Sequence, residues 1–462
     1  MLTLGCVSTA AGYAEVRDLT ASRIQKDVRW YAHDSADAAG STTRQLLGAP
    51  LDVDGAVQVA LLNNQALQAE FEQLGVARSR LVAALRLPNP TIDAALRYAG
   101  DGADDPAVDV DALIDITGLL FMPARGGAAN AALDAARLTV TGRVLDVAFE
   151  TRVAYYSYQA AEQTLELRHS ILTALSASYD VAQKLHDAGN LTDLNLASER
   201  AMYEDSRIEF TAAEADVRAR REDLNTWMGL WGQAGANWKL AGRLSVPEDR
   251  ELDTANLEAR AAKNSIDLEA RRRRFAAAAK TANVRRVSGW LPELRAGVSA
   301  EREIDGDARW SVGPAVSIEV PLLYQGAGET GVALAQMRRE QRLYNDLAIR
   351  IRAAARSAAS RLTAAAKSAA YYQKVLLPLR QRVVDETQLQ FNAMNVGVFQ
   401  LLQAKRDQIE TARSYVETLR TYWTARAEVD QLLAGRVPRR GADLEAPAPL
   451  DDPDESGTTD EH

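Results

Sequence analysis

The chain has 462 residues, with 54 basic and 63 acidic side chains and a formal net charge of -9. An acidic balance argues against a nucleic-acid-binding surface, and a hydrophobic fraction of 47% excludes wholesale disorder. With aromatics at 6% and long tracts of Ala, Arg, Leu, Glu and Gln, the composition favours long helices over several compact domains; no run of about 18 apolar residues encodes a transmembrane helix.

The first segment, 1–50, reads as a start followed by extended chain. Small and apolar residues lead to a lone cysteine, Cys6, as at the end of a bacterial lipoprotein signal, with lipid on Cys6. A full signal carries a positive n-region and a longer apolar stretch than the five residues before Cys6. With a single cysteine no intrachain disulfide forms.

From residue 51 the chain is duplicated. Leu51-Asp52, Ala60, Asn63, Leu67 and Leu87-Pro88 answer to Leu252-Asp253, Ala261, Asn264, Leu268 and Leu291-Pro292. Repeats over 51–230 and 252–435, joined by a connector at 231–251, each read helix, two strands, very long helix, turn, helix. Gly229, Gly232 and Gly235 do not follow a strand, so they belong to the connector and not to a phosphate loop.

In each repeat two stretches alternate. Ile92, Ala94 and Leu96 oppose Asp93 and Arg97. Val108, Val110, Ala112, Ile114 and Ile116 oppose Asp109, Asp111, Asp115 and Thr117. Leu294, Ala296, Val298 and Ala300 oppose Arg295 and Glu301, and Trp310 to Val320 places Glu319 on its polar side. Strands of about ten residues have the length a membrane strand needs. Four cannot close a barrel, which takes at least about eight, and open edges are not tolerated in lipid. If these strands span a membrane, several copies must share one barrel. A soluble sheet would show the same alternation.

The long helices come next. Val140, Val144, Val147, Thr151, Ala154, Tyr158, Ala161 and Leu165 step by four and three, the period of left-handed coiled-coil packing. The spacing predicts a helix from about 128 to 188, which at 1.5 Å per residue spans about 90 Å. Its counterpart runs from about 329 to 393 with a kink at Pro378. A last helix carries Phe399, Leu402, Ile409, Ala412, Val416, Leu419, Trp423 and Ala427 on one stripe. The run Arg271 to Arg274 reads as a solvated face or an intersubunit ion-pairing site. The segment 436–462 is acidic and unpatterned from about Gly441, the composition of a disordered tail.

No catalytic constellation emerges. His33, His169, His186 and His462 lack second ligands at metal spacing, and the methionines are scattered. We expect no enzyme activity and no cofactor.

Leu87-Pro88-Asn89-Pro90, Leu291-Pro292, Pro321-Leu322-Leu323-Tyr324-Gln325-Gly326, the stretch Phe391 to Ala404 and the segment Tyr422 to Glu428 resemble the TolC-like outer-membrane efflux proteins, over about residues 51 to 435. The heavy-metal-efflux lipoprotein branch is the best likeness, and Val28-Arg29-Trp30 suits it. The resemblance implies a homotrimer with a twelve-stranded barrel in outer-membrane lipid and a twelve-helix tunnel in the periplasm. It implies two partners, a periplasmic adaptor and an inner-membrane pump of the resistance-nodulation-division type. The tip and gate fall at Asn190, Thr192, Asp193, Asn395, Gly397, Gln400 and Gln403, with glutamines where some relatives carry aspartates; Asp193 equally reads as a helix cap. The lumen face falls at Asp93, Arg97, Asp109, Asp111, Asp115, Arg295, Glu301 and Glu319. The expected cargo is heavy-metal cations; organic compounds or secreted polypeptides through a duct of the same family, or a soluble coiled-coil scaffold, are the alternatives.

Overall fold

A computed structural model describes residues 12–30, 36–98, 107–247, 256–302, 309–320 and 326–438. Cys6, the strand-exit segment 321–325 and the tail beyond 438 lie outside the described residues, as does the opening of the second repeat at Leu252.

The N-terminal segment is helical where extended chain is expected: α1 spans Tyr13–Ile24 and α2 spans Ala36–Leu47. Tertiary packing overrides the weak local signal, because α1 buries Val16 and Thr20. The first repeat then contains α3 (Val53–Asn63), α4 (Gln65–Ala84), β1 (Thr91–Arg97), β2 (Ala107–Asp115), α5 (Ile116–Asp187) and α6 (Asp193–Met228). After a short α7 (Gly232–Asn237), the second contains α8 (Leu257–Asn264), α9 (Ile266–Ser288), β3 (Glu293–Arg302) and β4 (Trp310–Glu319). It closes with α10 (Ala327–Tyr371), a π turn (Tyr372–Leu376), α11 (Leu377–Asn392) and α12 (Val398–Ala434).

Two boundaries differ from the pattern reading. The strand expected to reach Thr117 ends at Asp115, whose carboxylate accepts the Gly118 N–H at 2.7 Å and caps α5. α5 therefore begins at Ile116, about twelve residues early, and runs through Pro123 and Gly126 for 72 residues, roughly 108 Å. Gly126 does not break the helix; it lies beside the end of α4, where a Cβ would stand 2.3 Å from Cδ2 of Leu85, a half-exposed side chain free to move aside. In the second repeat the expected kink at Pro378 is a π turn just before α11. Proline lacks an N–H and its ring crowds the carbonyl four residues back, and the wider turn relieves both.

The coiled-coil stripe of α5 is buried at every predicted position from Val140 to Ala161, and Leu165 is half-buried. Helices pack in the order α6, α5, α12, α10. On α12 the stripe is buried at Val416, Leu419 and Ala427 but half-buried at Phe399, Leu402 and Ile409.

The duplication recurs at atomic level. Asn64 and Ser265 cap α4 and α9, accepting the N–H groups of Leu67 and Leu268. α6 and α12 end on left-handed glycines, Gly229 (φ 65°) and Gly435 (φ 101°). A Cβ on Gly229 would stand 2.5 Å from Asn63 O, and one on Gly435 2.3 Å from Asn264 O; glycine is required twice at the same joint.

One buried ionic clasp ties the two repeats. Arg436 is 5% exposed and its guanidinium is held by Asp146 of α5 (Nη2 to Oδ2 2.6 Å) and by Asp267 of α9. Burial alone would lower its pKa, but the two aspartates raise it above the usual arginine value. Gly142 on α5 leaves the room: a Cβ there would stand 3.0 Å from Arg436 Nη1. Three arginines of the run on α9 reach other helices, while Arg272 stays exposed. Arg271 pairs with Glu340 of α10, Arg273 reaches Asp134 of α5, and Arg274 donates to Thr139 at 2.9 Å; Arg272 alone of the four pairs only within α9, with Glu269.

Candidate functional site: the strand face and the helical turns

The four strands form one antiparallel sheet in the order β1-β2-β3-β4. Its register aligns the alternation of all four strands. Asp93 lies opposite Asp111, Asp109 opposite Glu301, and Asp115 opposite Arg295; Arg295 lies opposite Ser317 and Glu293 opposite Glu319. Asp93, Arg97, Asp109, Asp111, Asp115, Arg295, Glu301 and Glu319 thus share one face, since side chains alternate with period two. Six acids against two arginines make that set -4 per chain. Glu293 joins the same face; the alternation misses it because Pro292 makes the strand read as starting at Leu294. Arg97 reaches both Asp109 and Glu301, and Arg295 pairs with Glu293 at 2.7 Å. Asp93 against Asp111 and Glu293 against Glu319 are like charges directly opposite, an arrangement that costs stability unless water solvates it.

The other face is apolar. Ile92, Leu96, Val298, Trp310, Val312, Val316 and Ile318 are each at least half exposed, so nothing among the described residues covers them. β1 and β4 are both edges of the sheet, with no further strand beside either among the described residues. At about 3.4 Å per residue a ten-residue strand is about 34 Å long, enough to cross a hydrocarbon core when tilted. Gly297 sets the approach of β3 to β2: a Cβ would overlap Ala112 O at 1.8 Å.

The turns between long helices are likewise duplicated. Asn190 N–H donates to Leu185 O and Asn395 N–H to Gln390 O, at 2.8 and 2.9 Å, closing each helix with the same six-residue loop. The left-handed residue is Gly189 in one and Met394 in the other. Thr192 caps α6 by accepting the Asn195 N–H, so Asp193 is not the cap. It sits in the first turn, 97% exposed, bonded to His186 Nε2 at 2.7 Å, with Asp187 3.7 Å from Nδ1. Seven residues of turn bring this pair together, a spacing that carries no sequence signal. In the second turn Gly397 caps α12 without a side chain, and Gln403 donates to Asp407 at 2.9 Å; Gln400 bonds through its backbone to Gly397 O.

The hydrogen bond to Asp193 raises the His186 pKa above the ordinary value; desolvation opposes it, and the charge of Asp193 and the contact with Asp187 add to the rise. A raised histidine stabilises the fold below its unfolded pKa, and that contribution is lost as pH rises through the folded value. By NMR, the His186 titration midpoint is therefore expected above that of a free histidine and to fall in Asp193→Asn. An unchanged midpoint would show that the bond does not persist in solution.

Among the described residues no helix is long and apolar enough to cross a membrane, and no group of three or more His, Cys, Asp or Glu is placed to hold a metal. No protein-family model matches the chain, and no curated protein matches it in sequence. Solved structures do. CusC superposes with a TM-score of 0.67 at 15% identity, covering 84% of this chain and 92% of its own. The open-state MtrE outer-membrane channel of Neisseria gonorrhoeae gives 0.69 at 15%, covering 83% and 89%. The fold is that of the TolC-type channels. The CmeC outer-membrane channel of Campylobacter jejuni agrees over 91% of both chains, with a TM-score of 0.65 at 14% identity. In those channels a helical tunnel is joined to a β-barrel; the present chain has the same combination of long helices and a four-stranded antiparallel sheet.

Proposed function

We propose that the protein is the outer-membrane duct of a tripartite efflux system, a passive homotrimer and not an enzyme. The observation that carries this reading is the sheet: an uncovered apolar face, a charged face behind it, and two unpaired edges. In water such a sheet is an aggregation hazard. In a bilayer the apolar face meets lipid, and pairing β4 of one copy with β1 of the next removes every edge. Three copies make a barrel of twelve strands lined by Asp93, Arg97, Asp109, Asp111, Asp115, Arg295, Glu301 and Glu319.

The half-buried stripe at the far end of α12 supports a tunnel completed by neighbouring copies. Its turns, with Asn190, Thr192, Asp193, Asn395, Gly397, Gln400 and Gln403, form the periplasmic tip where an adaptor docks. A resistance-nodulation-division pump supplies the driving force. The acidic strand face suits cations, and the sequence likeness to the heavy-metal branch makes metal cations the proposed cargo. A lipid on Cys6 would anchor the same assembly.

The test is single-channel recording of the purified full-length protein in a planar bilayer. Discrete, cation-selective steps are expected. A folded trimer that neither inserts nor conducts, even after the tip is loosened by substitution, would sink the reading in favour of a soluble scaffold.

A further inference from the structure

The two repeats part company beyond their last helix. After Gly229 the chain turns back and covers its own repeat. Leu240 bridges Leu51, Tyr155 of α5 donates to Leu51 O at 2.9 Å, and two side chains of the returning segment become core, Trp238 (2% exposed) and Leu244 (6%). They stand nine and fifteen residues beyond the glycine. After Gly435 the backbone starts identically: Leu230 N–H donates to Asn225 O, and Arg436 N–H to Gln431 O. Val437 then packs against the cluster that contains Leu257, Ile351, Ala355 and Leu362. Nine and fifteen residues beyond Gly435 stand Leu444 and Leu450, in a stretch that opens with Arg439 and Arg440 and continues with acids, alanines and prolines.

The surface that such a return would cover is open in the second repeat. Between α8 and α10 lies a groove of about 530 Å³ whose floor is Ala259, Ala262, Ala355 and Ala359. The buried positions of α5 (147, 151, 154, 158, 161) and of α10 (351, 355, 358, 362, 365) keep the same spacing, which sets Ala359 opposite Tyr155. The first repeat fills this place with a tyrosine and a returning segment; the second has an alanine and a hollow. The rim is basic. Arg352 and Arg356 share one carboxylate, Glu258, at 3.8 and 2.9 Å, leaving a positive excess, and Leu444 is flanked by Asp443 and Glu445. From Pro438 to Leu444 the chain reaches up to roughly 20 Å, and Pro438 comes directly after Val437, which packs against the core cluster shared by α8, α10 and α12.

We propose that the segment around Leu444 docks into the α8–α10 groove of its own chain, with Leu444 on the alanine floor and Asp443 and Glu445 on Arg352 and Arg356, completing the second repeat as residues 230–246 complete the first. The inference goes beyond the duct reading and stands on the duplication alone, so loss of conductance would leave it intact.

The test is photo-crosslinking of the full-length protein carrying a benzophenone amino acid at position 444, with light and heavy isotope-labelled chains mixed during assembly. Crosslinks mapped by mass spectrometry are expected on Ala259, Ala262, Ala355 or Ala359, within one isotopic label. Their yield is expected to fall about threefold or more in Arg352→Glu with Arg356→Glu, as two exposed ion pairs allow, and to recover with Asp443→Arg and Glu445→Arg. Crosslinks to other surfaces, crosslinks joining light to heavy chains, or none from a sample with native helical content would each overturn the proposal.

Discussion

Arg436→Ala is expected to lower the apparent Tm of the purified protein by about 3–5 °C. Three elements distant in sequence meet at this side chain: α5 through Asp146, α9 through Asp267, and the chain just after α12. Both carboxylates are about 14% exposed, so removing the guanidinium leaves Asp146 with only the more distant Arg143, at 3.9 Å, and Asp267 with the Val437 N–H, both with little water. Breaking a buried ion pair from one side typically costs about 3–5 kcal/mol. Glu150, one turn along α5, is already raised to about 7 by burial and then by Asp146. The native state therefore binds its proton more tightly than the unfolded chain, and this group's contribution to stability is lost as pH rises from about 4.5 to 7. Without Arg436 the aspartates are expected to join that trend, so the variant should lose more stability between pH 5 and 7 than the parent does. Thermal scans across this range check both statements. Adding Asp146→Asn and Asp267→Asn should recover most of the loss; if the triple variant is as unstable as Arg436→Ala, packing and not charge is responsible.

The second large effect is on ion selectivity. Replacing Asp109, Asp111 and Asp115 with Asn takes the set of eight strand-face residues from -4 to -1 per chain, while the backbone register is untouched. Screening decides where this is visible. At about 0.01 M salt the Debye length is about 30 Å, against about 8 Å at 0.15 M, so a wide lumen selects by charge mainly at low salt. The cation-to-anion permeability ratio from reversal potentials is expected to fall at least about threefold at 0.01 M and much less at 0.15 M. Equal ratios for parent and variant at low salt would place these carboxylates away from the conducting path and reverse the assignment of the two faces. Arg97 sharpens the expectation: it binds Asp109 and Glu301, so Asp111, facing Asp93, should contribute more to selectivity than Asp109.

Periodicity alone made much of this molecule legible. A spacing of four and three writes a buried stripe on α5, and strict alternation writes two chemically opposite faces on each strand. Both signals are local, because the geometry of helix and strand fixes where each side chain points. The duplication was equally readable, down to the turns at Asn190 and Asn395. The features that stayed hidden depend on contacts between segments far apart in the chain. The start of α5 at Ile116 is hidden because Pro123 and Gly126 both lie inside it. Arg271, Arg273 and Arg274 look solvated until α5 and α10 bring up their partners. Gly142 looks like a flaw until Arg436 needs its space, and His186 meets Asp193 only because a turn closes. The sequence by itself determined which faces are apolar and how the strands alternate. The tertiary structure alone decided which charges are buried together and which glycines are spacers, because burial is a property of the assembled neighbours and not of the residue.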